Sequence, residues 1–170
     1  MKKSLVLLAT FPLACGRTPL AHPPTESAAI GIVSRFVAAE TLGNWRRADS
    51  LVRWASCEGD PAEDFLRVTR SVHLGDTRSQ GDTMFVPVAY DVIGHAWSYD
   101  QRRAGEKNWR FSARPIREAV VYGAFTDSAG RLWIACGDFH QDHVAVSQLR
   151  TESDHFDDSS RSAWRAAVSP

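Results

Sequence analysis

The spacing of apolar residues in the first part of the chain is that of helices. Thr25 predicts the start of a first helix and Gly43 predicts its end. One face of this helix collects the apolar side chains, with Glu40 at its edge: Ala29, Ile32, Val33, Phe36 and Val37. Asn44 predicts the cap of a second helix, whose inward side chains are Trp45, Ala48, Leu51 and Val52.

A third, shorter helix is indicated by Asp60-Pro61-Ala62-Glu63. Aspartate is a good cap, proline suits the first helical position, and glutamate completes a capping box. Phe65, Leu66 and Val68 are then the buried residues of this helix.

Beyond about residue 69 the apolar spacing changes towards a period of two, which predicts strands. Extended segments are predicted at residues 71–77, 83–96, 109–122, 120–126 and 131–136, with a bend at Pro115 and a hairpin turn at residues 127–130. Pro87, inside the second segment, indicates a sheet edge or a bulge. Helices followed by antiparallel strands indicate an α+β domain in which the helices cover one face of the sheet.

This order of elements also predicts which side chains meet in the core. From the helices we expect contacts by Phe36, Val37, Trp45 and Leu51. The sheet surface that they cover is predicted to consist of Val86, Val88, Tyr90, Val121, Trp133 and Ile134. Large aromatic side chains usually serve the core, so Trp45 and Trp133 are both predicted to be buried.

The first residues of the chain predict export. Met1-Lys2-Lys3 is a basic start, and the apolar stretch from Leu5 to Leu13 is shorter than the about 20 residues that a membrane-spanning helix needs. Residues 1–14 are therefore predicted to be a signal peptide. The run Pro12-Leu13-Ala14-Cys15-Gly16 then resembles the lipobox of bacterial lipoproteins, in which the cysteine is acylated after cleavage.

The lipobox resemblance implies lipid attachment at Cys15 and a lipidated tether over residues 15–24, with the membrane as a partner through this lipid. It implies a place in the cell envelope, at the outer membrane or another extracytoplasmic face. The alternative is an ordinary signal peptide cleaved near Ala14 or Ala21, which would leave the protein secreted or periplasmic.

Composition limits what the rest of the chain can be. A hydrophobic fraction of 44% over 170 residues suffices for one core, which we expect within residues 25–150. Residues 151–170 are polar and rich in Ser and Asp, and are predicted to be a tail that is either disordered or loosely docked. Basic and acidic residues number 20 each, and loss of Lys2 and Lys3 leaves a slight acidic excess, so no nucleic-acid binding is predicted.

Two runs of the α+β region resemble a known superfamily. The helical part carries Leu42-Gly43-Asn44-Trp45-Arg46-Arg47-Ala48-Asp49-Ser50-Leu51, and the closing strand carries Gly130-Arg131-Leu132-Trp133-Ile134-Ala135. With long strands between them, these runs are similar to the nuclear transport factor 2 superfamily over about residues 25–150. The resemblance implies a cone-like fold: a curved antiparallel sheet closed by N-terminal helices around a pocket. Some members, such as polyketide cyclases and ketosteroid isomerases, use this pocket for acid–base chemistry.

Four side chains are candidates for such chemistry: Tyr90, Asp91, His95 and Tyr122. Alternation along a strand places Tyr90 and Asp91 on opposite faces, so only one of the two can point inward. The ordinary alternative is a half-buried tyrosine beside an exposed aspartate. His73, between Val72 and Leu74, is predicted to be exposed on an otherwise buried strand.

The run Asp138-Phe139-His140-Gln141-Asp142-His143 concentrates residue types that bind metals. In a strand, however, an offset of three places His140 and His143 on opposite faces, and no fixed ligand motif matches. We therefore predict a solvated connecting loop without a metal, and Asp138 and His140 stay as catalytic candidates. No cofactor is predicted.

Cys57 and Cys136 remain once Cys15 is assigned to lipid. An exported chain folds in an oxidising compartment, and an even number of thiols avoids a stray reactive one, so a disulfide between them is predicted. Two separate buried cysteines, acting as small apolar residues, are the alternative.

Two functional classes remain open. The first is a non-catalytic module that binds a small apolar ligand or an unidentified protein. The second is a small pocket enzyme, an isomerase, cyclase or hydrolase, that uses one carboxylate or histidine. An enzyme should place such a group, with a shifted pKa, at the base of a largely apolar cavity, whereas a binding module should show apolar lining alone or no cavity.

Overall fold

The structure is a computed structural model that describes residues 22–53, 64–98, 108–135, 142–151 and 158–168. The α-helices of these ranges are α1 (Glu26–Thr41), α2 (Trp45–Asp49) and α3 (Asp158–Val168), and residues Val146–Thr151 form a 3-10 helix. The strands are β1 (Val52–Arg53), β2 (Asp64–Leu74), β3 (Arg78–Gln80), β4 (Thr83–Ser98), β5 (Asn108–Thr126), β6 (Leu132–Ala135) and β7 (Asp142–Ala145). The fold is α+β, as predicted.

Helix α1 follows its sequence pattern closely. The Thr25 hydroxyl accepts a hydrogen bond from the Ala28 N–H at 3.3 Å, which satisfies a free donor at the helix start. The helix ends at Thr41, just before Gly43, whose φ of 68° is a left-handed conformation that glycine adopts without strain. The predicted inward face is confirmed: Ala29, Ile32, Val33, Phe36, Val37 and Glu40 are all buried.

Helix α2 is shorter than predicted. Asn44 caps it by accepting from the Arg47 N–H at 3.3 Å, but the helix ends at Asp49 and Val52 already belongs to β1. Trp45 is 37% exposed, so its predicted place in the core is wrong. Leu51 lies partly buried against the core, as predicted.

The prediction of a third helix is wrong over residues 64–68, the part of it that the structure describes. Residues 64–68 begin strand β2, which pairs with β4 over most of its length. A local capping signal is worth about 1 kcal/mol, and pairing with a long neighbouring strand outweighs it. The capping run at residues 60–63 lies outside the described residues.

The strands form one mixed sheet in the order β1-β6-β5-β4-β2-β7, and β3 pairs with the first residues of β4. The central pairings are antiparallel, but β1 pairs with β6 and β2 with β7 in parallel. This corrects the prediction of a purely antiparallel sheet. Parallel neighbours are joined by long connections, and the turn signals of a sequence do not reveal such pairs.

Pro87 lies in a central strand and not at the sheet edge. Its carbonyl accepts from the Gly75 N–H at 2.8 Å. At this point β4 changes partner, because β2 ends opposite Val88 and β3 lies opposite Phe85. The N–H that proline lacks therefore falls at an interruption of the ladder.

Helix α1 covers one face of the sheet, which we call the inner face. The buried sheet residues of this face are Val86, Val88, Tyr90, Val92, Tyr122, Ala124 and Ile134. Full burial of an aliphatic side chain contributes about 1.5 to 3 kcal/mol, so this layer is a principal source of stability. Val121 is 44% exposed and pairs with Pro87 on the opposite, outer face, so its predicted core position is wrong.

Trp133 serves the β5–β6 hairpin and is only partly buried, which corrects the prediction that it is a core residue. Its Nε1 donates to Asp127 Oδ2 at 2.8 Å, and the Arg131 guanidinium lies 3.9 Å from the ring centre. The hydrogen bond from Trp133, and after it the backbone N–H of Arg131, lowers the pKa of Asp127. The tryptophan thus holds the turn at the predicted residues 127–130.

Helix α3 covers part of the outer face, in the region predicted to be a disordered or loosely docked tail. Trp164 is 6% exposed, and its ring lies 5.2 Å from that of Phe111. It joins a second apolar cluster with Val68, Ile93 and Val144. A polar segment needs no core of its own when one side of a helix can pack on a sheet. Of the two predicted alternatives, disorder is therefore wrong for residues 158–168, and a docked segment agrees with the structure.

The predicted signal peptide lies outside the described residues, as do Cys15, Cys57 and Cys136. Lipid attachment and the disulfide therefore stay predictions. Within the described ranges, no helix has the length and apolar character needed to span a bilayer.

Candidate functional site

Buried polar side chains gather on the inner face beneath α1. The group, which we call the inner polar cluster, consists of Glu40 from α1, Thr69 from β2, Tyr90 from β4, Tyr122 from β5 and His143 from β7. Burial of a polar group costs free energy unless it is hydrogen-bonded. Five such groups in one place are therefore the feature of this core that apolar packing does not explain.

Strand register brings these residues together. The β4–β5 pairing sets Tyr122 opposite Val86, four residues from Tyr90 and on the same face. The parallel β2–β7 pairing sets His143 opposite Arg67, two residues from Thr69 and again on that face. Residues from four distant segments thus meet because their strands are neighbours.

The two tyrosines and the glutamate form a chain of hydrogen bonds. The hydroxyl oxygens of Tyr90 and Tyr122 are 2.8 Å apart, and the Tyr90 hydroxyl donates to Glu40 Oε2 at 3.4 Å. A phenol carries a single proton. When Tyr90 gives its proton to Glu40, Tyr122 must therefore donate to Tyr90.

Both tyrosines are held in the protonated form. Burial raises the pKa of Tyr90 far above its ordinary value, and the charge of Glu40 raises it further. Burial and then the charge of Glu40 also raise the pKa of Tyr122, against a smaller opposing effect of the hydrogen bond with Tyr90. At neutral pH the pair offers hydroxyl groups and no phenolate.

His143 is fully buried and stacks on Tyr90, with ring centres 3.6 Å apart and planes inclined by 9°. Its Nδ1 lies 3.1 Å from Thr69 Oγ1, whereas its Nε2 has no hydrogen-bond partner within the part of the chain that the structure describes. Burial, with the positive charge of Arg67, lowers the pKa of His143 to about 3. The imidazole is therefore neutral at pH 7, with one donor and one acceptor nitrogen.

An ion pair lies beside the inner polar cluster on the same face. The Arg67 Nε donates to Glu118 Oε2, and Glu118 stands opposite Tyr90 in the β4–β5 register. His95, opposite Arg67 in the β2–β4 register, is half-buried. The Glu118 side chain is 26% exposed, so the polar surface continues from the buried cluster to solvent.

Asp91 lies on the outer face, where it is the centre of an exposed cluster. It accepts from Ser71 Oγ at 2.6 Å and from Arg117 Nε at 3.0 Å. The Arg117 guanidinium, and after it Ser71, holds the pKa of Asp91 well below its ordinary value. His73 Nε2 lies 3.2 Å from Asp91 and 3.3 Å from Ser71. A nucleophilic triad requires the acid to hold the other ring nitrogen, so this cluster lacks triad geometry.

The candidate residues from the sequence are thus divided between the two faces. Tyr90, His95 and Tyr122 share the inner face, and Asp91 lies on the outer one, as strand alternation requires. The exposed position predicted for His73 is confirmed, since 55% of its side chain is exposed. Asp138 and His140 lie outside the described residues.

Sequence reasoning missed three members of the inner polar cluster. Glu40 gave a signal, a carboxylate at the edge of an apolar helix face, but Thr69 gave none. His143 was predicted to lie in a solvated loop, which is wrong because residues Asp142–Ala145 form β7. Strand β7 pairs with β2, which lies some 75 residues earlier in the chain, and the local spacing of apolar residues does not reveal such a pairing.

Within the described residues, no group of three or more His, Cys, Asp or Glu side chains could hold a metal ion. In comparisons with protein families, curated proteins and solved structures, the chain has no match.

Proposed function

We propose that this chain is an envelope lipoprotein whose α+β domain binds a small ligand at the inner polar cluster. The observation that carries the proposal is the buried His143 Nε2, which lacks a partner among the described residues. A buried polar atom left unpaired costs about 1 to 3 kcal/mol. A ligand that forms a hydrogen bond with Nε2 recovers this cost, so the cluster favours the occupied state.

The protonation states favour binding over acid–base catalysis. A general acid or base works best when its pKa lies near the operating pH. The pKa of His143 is about 3, and the pKa values of Tyr90 and Tyr122 are raised far from neutrality. These side chains therefore orient a ligand as neutral hydrogen-bonding groups and do not exchange protons with it.

A small pocket enzyme is the second candidate, and the buried Glu40 favours it, because a carboxylate is a candidate general base. The two candidates separate on Glu40→Gln, which keeps the shape of the side chain and removes its charge. A binding module returns its ligand chemically unaltered with either residue at position 40. An enzyme converts its substrate in the wild type and loses this conversion in Glu40→Gln.

The order of elements supports the resemblance to the nuclear transport factor 2 superfamily. Helix α1 precedes the long strands β4 and β5 and packs against their inner face. The resemblance implies a pocket on this face, which is the face that carries the inner polar cluster. The lipobox-like run Pro12-Leu13-Ala14-Cys15-Gly16 supports the envelope location.

The test is recovery of a small molecule with the purified full chain, by native mass spectrometry and solvent extraction. His143→Phe keeps a flat ring against Tyr90 and removes both nitrogens, and His73→Phe on the outer face is the matched control. We expect the wild type and His73→Phe to retain the same compound, and His143→Phe to retain about tenfold less, which corresponds to about 1.4 kcal/mol. Equal retention by His143→Phe contradicts the proposal.

A further inference from the structure

We infer that the ligand of the inner polar cluster is an uncharged molecule held through a hydroxyl group, an alcohol or a phenol, and that the site rejects ions. The inference rests on the proposed function, because it names the ligand class of the same site. Two properties of the site support the inference. The imidazole proton of His143 can lie on either ring nitrogen, and the groups around His143 disfavour both positive and negative charge.

The proton of His143 can sit on either ring nitrogen. Nδ1 faces Thr69 Oγ1 at 3.1 Å, and a hydroxyl can donate or accept. When Nδ1 donates to Thr69, Nε2 is an acceptor; when Thr69 donates to Nδ1, Nε2 is a donor. A ligand hydroxyl pairs with Nε2 in both cases, whereas a carboxylate only accepts and an ammonium only donates.

The surroundings of His143 disfavour a positive charge. Burial and the charge of Arg67 keep the imidazole neutral, and both act in the same way on a cation bound at Nε2. Arg67 in turn donates to Glu118, so its guanidinium already has a carboxylate partner. A cation at Nε2 would therefore lie near a guanidinium, and both nearby carboxylates already have partners: Glu118 accepts from Arg67, and Glu40 accepts from Tyr90.

The same site disfavours a negative charge. Burial and the charge of Glu40 keep Tyr90 and Tyr122 from ionising, and Tyr90 stacks directly on His143. An anion at Nε2 would meet the same burial and the same carboxylate. Removal of an ion from water without a compensating partner costs several kcal/mol, so a neutral hydroxyl is the group that this site accepts.

The test uses one phenyl frame with four head groups: benzyl alcohol, benzoate, benzylammonium and toluene. Dissociation constants are measured at pH 7.5 by ligand-observed NMR with the full chain. We expect benzyl alcohol to bind about tenfold tighter than each of the other three, which is the factor that one net hydrogen bond supplies. In His143→Phe the preference over toluene disappears while toluene binding remains, and His73→Phe behaves as the wild type.

A second measurement needs no substitution. In an imidazole ¹⁵N spectrum of the wild-type chain, benzyl alcohol should shift the Nε2 resonance of His143, and benzoate and benzylammonium should leave it in place. Binding of either ion as tightly as the alcohol, or an alcohol preference that survives in His143→Phe, overturns the ligand class alone. Binding of none of the four probes overturns the proposed function as well.

Discussion

At the residue scale, the buried His143 makes the stability of the folded chain depend on pH. Its ordinary pKa of 6.5 falls to about 3 in the folded chain, so the unfolded chain binds more protons between these two values. Stability from this residue is complete above about pH 6.5 and is lost as the pH falls towards 3. The loss amounts to about 4 kcal/mol across that range, because one pKa unit corresponds to about 1.36 kcal/mol.

The measurement is urea unfolding of the wild type and of His143→Phe at pH 7, 5 and 4. Carboxylates that titrate at low pH, such as Asp91, affect both proteins alike and cancel in the difference. We expect the wild type to lose stability relative to His143→Phe at each step down in pH. Parallel pH profiles for the two proteins would show that the imidazole titrates normally.

The tyrosine pair gives a second residue-scale prediction. In the chain from Tyr122 through Tyr90 to Glu40, Tyr90 makes both hydrogen bonds that the chain contains. Tyr90→Phe removes both and should cost about 2 to 3 kcal/mol, while Tyr122→Phe removes from this chain the bond between the two tyrosines and should cost less, by about 1 kcal/mol. Urea midpoints of the two variants measure the difference. Equal costs, or the reverse order, would contradict this arrangement of protons.

At the scale of elements, we expect opposite effects on stability from substitution of the two described tryptophans that lie in helices. Trp164 is 6% exposed between α3 and the outer face, whereas Trp45 is 37% exposed at the start of α2. Trp164→Ala should therefore cost about 3 kcal/mol or more, and Trp45→Ala less than about 1 kcal/mol. Thermal melts of both variants check this. A Trp164→Ala melt within a degree of the wild type would mean that α3 does not pack on the sheet.

Helices and turns could be predicted from the sequence where the residue pattern of a single segment determines the structure. The apolar face of α1, the Thr25 cap and the turn at residues 127–130 all follow from spacing within one segment. The strand β2 did not, because a capping run at residues 60–63 favoured a helix while pairing with β4 decided the outcome. The helix α3 was missed because its burial depends on a sheet face formed elsewhere in the chain.

The candidate site was predictable to a smaller extent. Strand alternation separated Tyr90 from Asp91, but only the position of α1 determines which of them is buried. The residues that complete the inner polar cluster come from β2 and β7, whose parallel pairing joins distant parts of the chain. Long-range register of this kind leaves no periodic signal in the sequence.

At the scale of the whole molecule, we predict that a lipid on Cys15 anchors the domain in the cell envelope. Two acyl chains anchor a protein stably where a single chain is marginal. Cys15→Ala should therefore move the protein from the membrane fraction to the soluble fraction, as followed by fractionation and immunoblotting. A substitution of a neighbouring residue, Arg17→Ala, is the control and should leave the protein with the membranes. Membrane recovery equal to wild type for Cys15→Ala would contradict the anchor.

The two faces of the sheet differ in what they carry. The outer face is stabilised by α3 and carries the exposed cluster around Asp91, whereas the inner face buries the inner polar cluster beneath α1. His143 is fully buried between Tyr90 and Thr69, so the ligand site that we propose there would be formed before the ligand binds.

A crystal structure of the full chain as purified, at a resolution that reveals bound small molecules, tests whether His143 binds a ligand. We expect His143 to stack on Tyr90, with Nδ1 against Thr69 and a non-protein oxygen within about 3.2 Å of Nε2. A side chain of the protein itself bonded to Nε2, or an imidazole turned towards solvent, would contradict it.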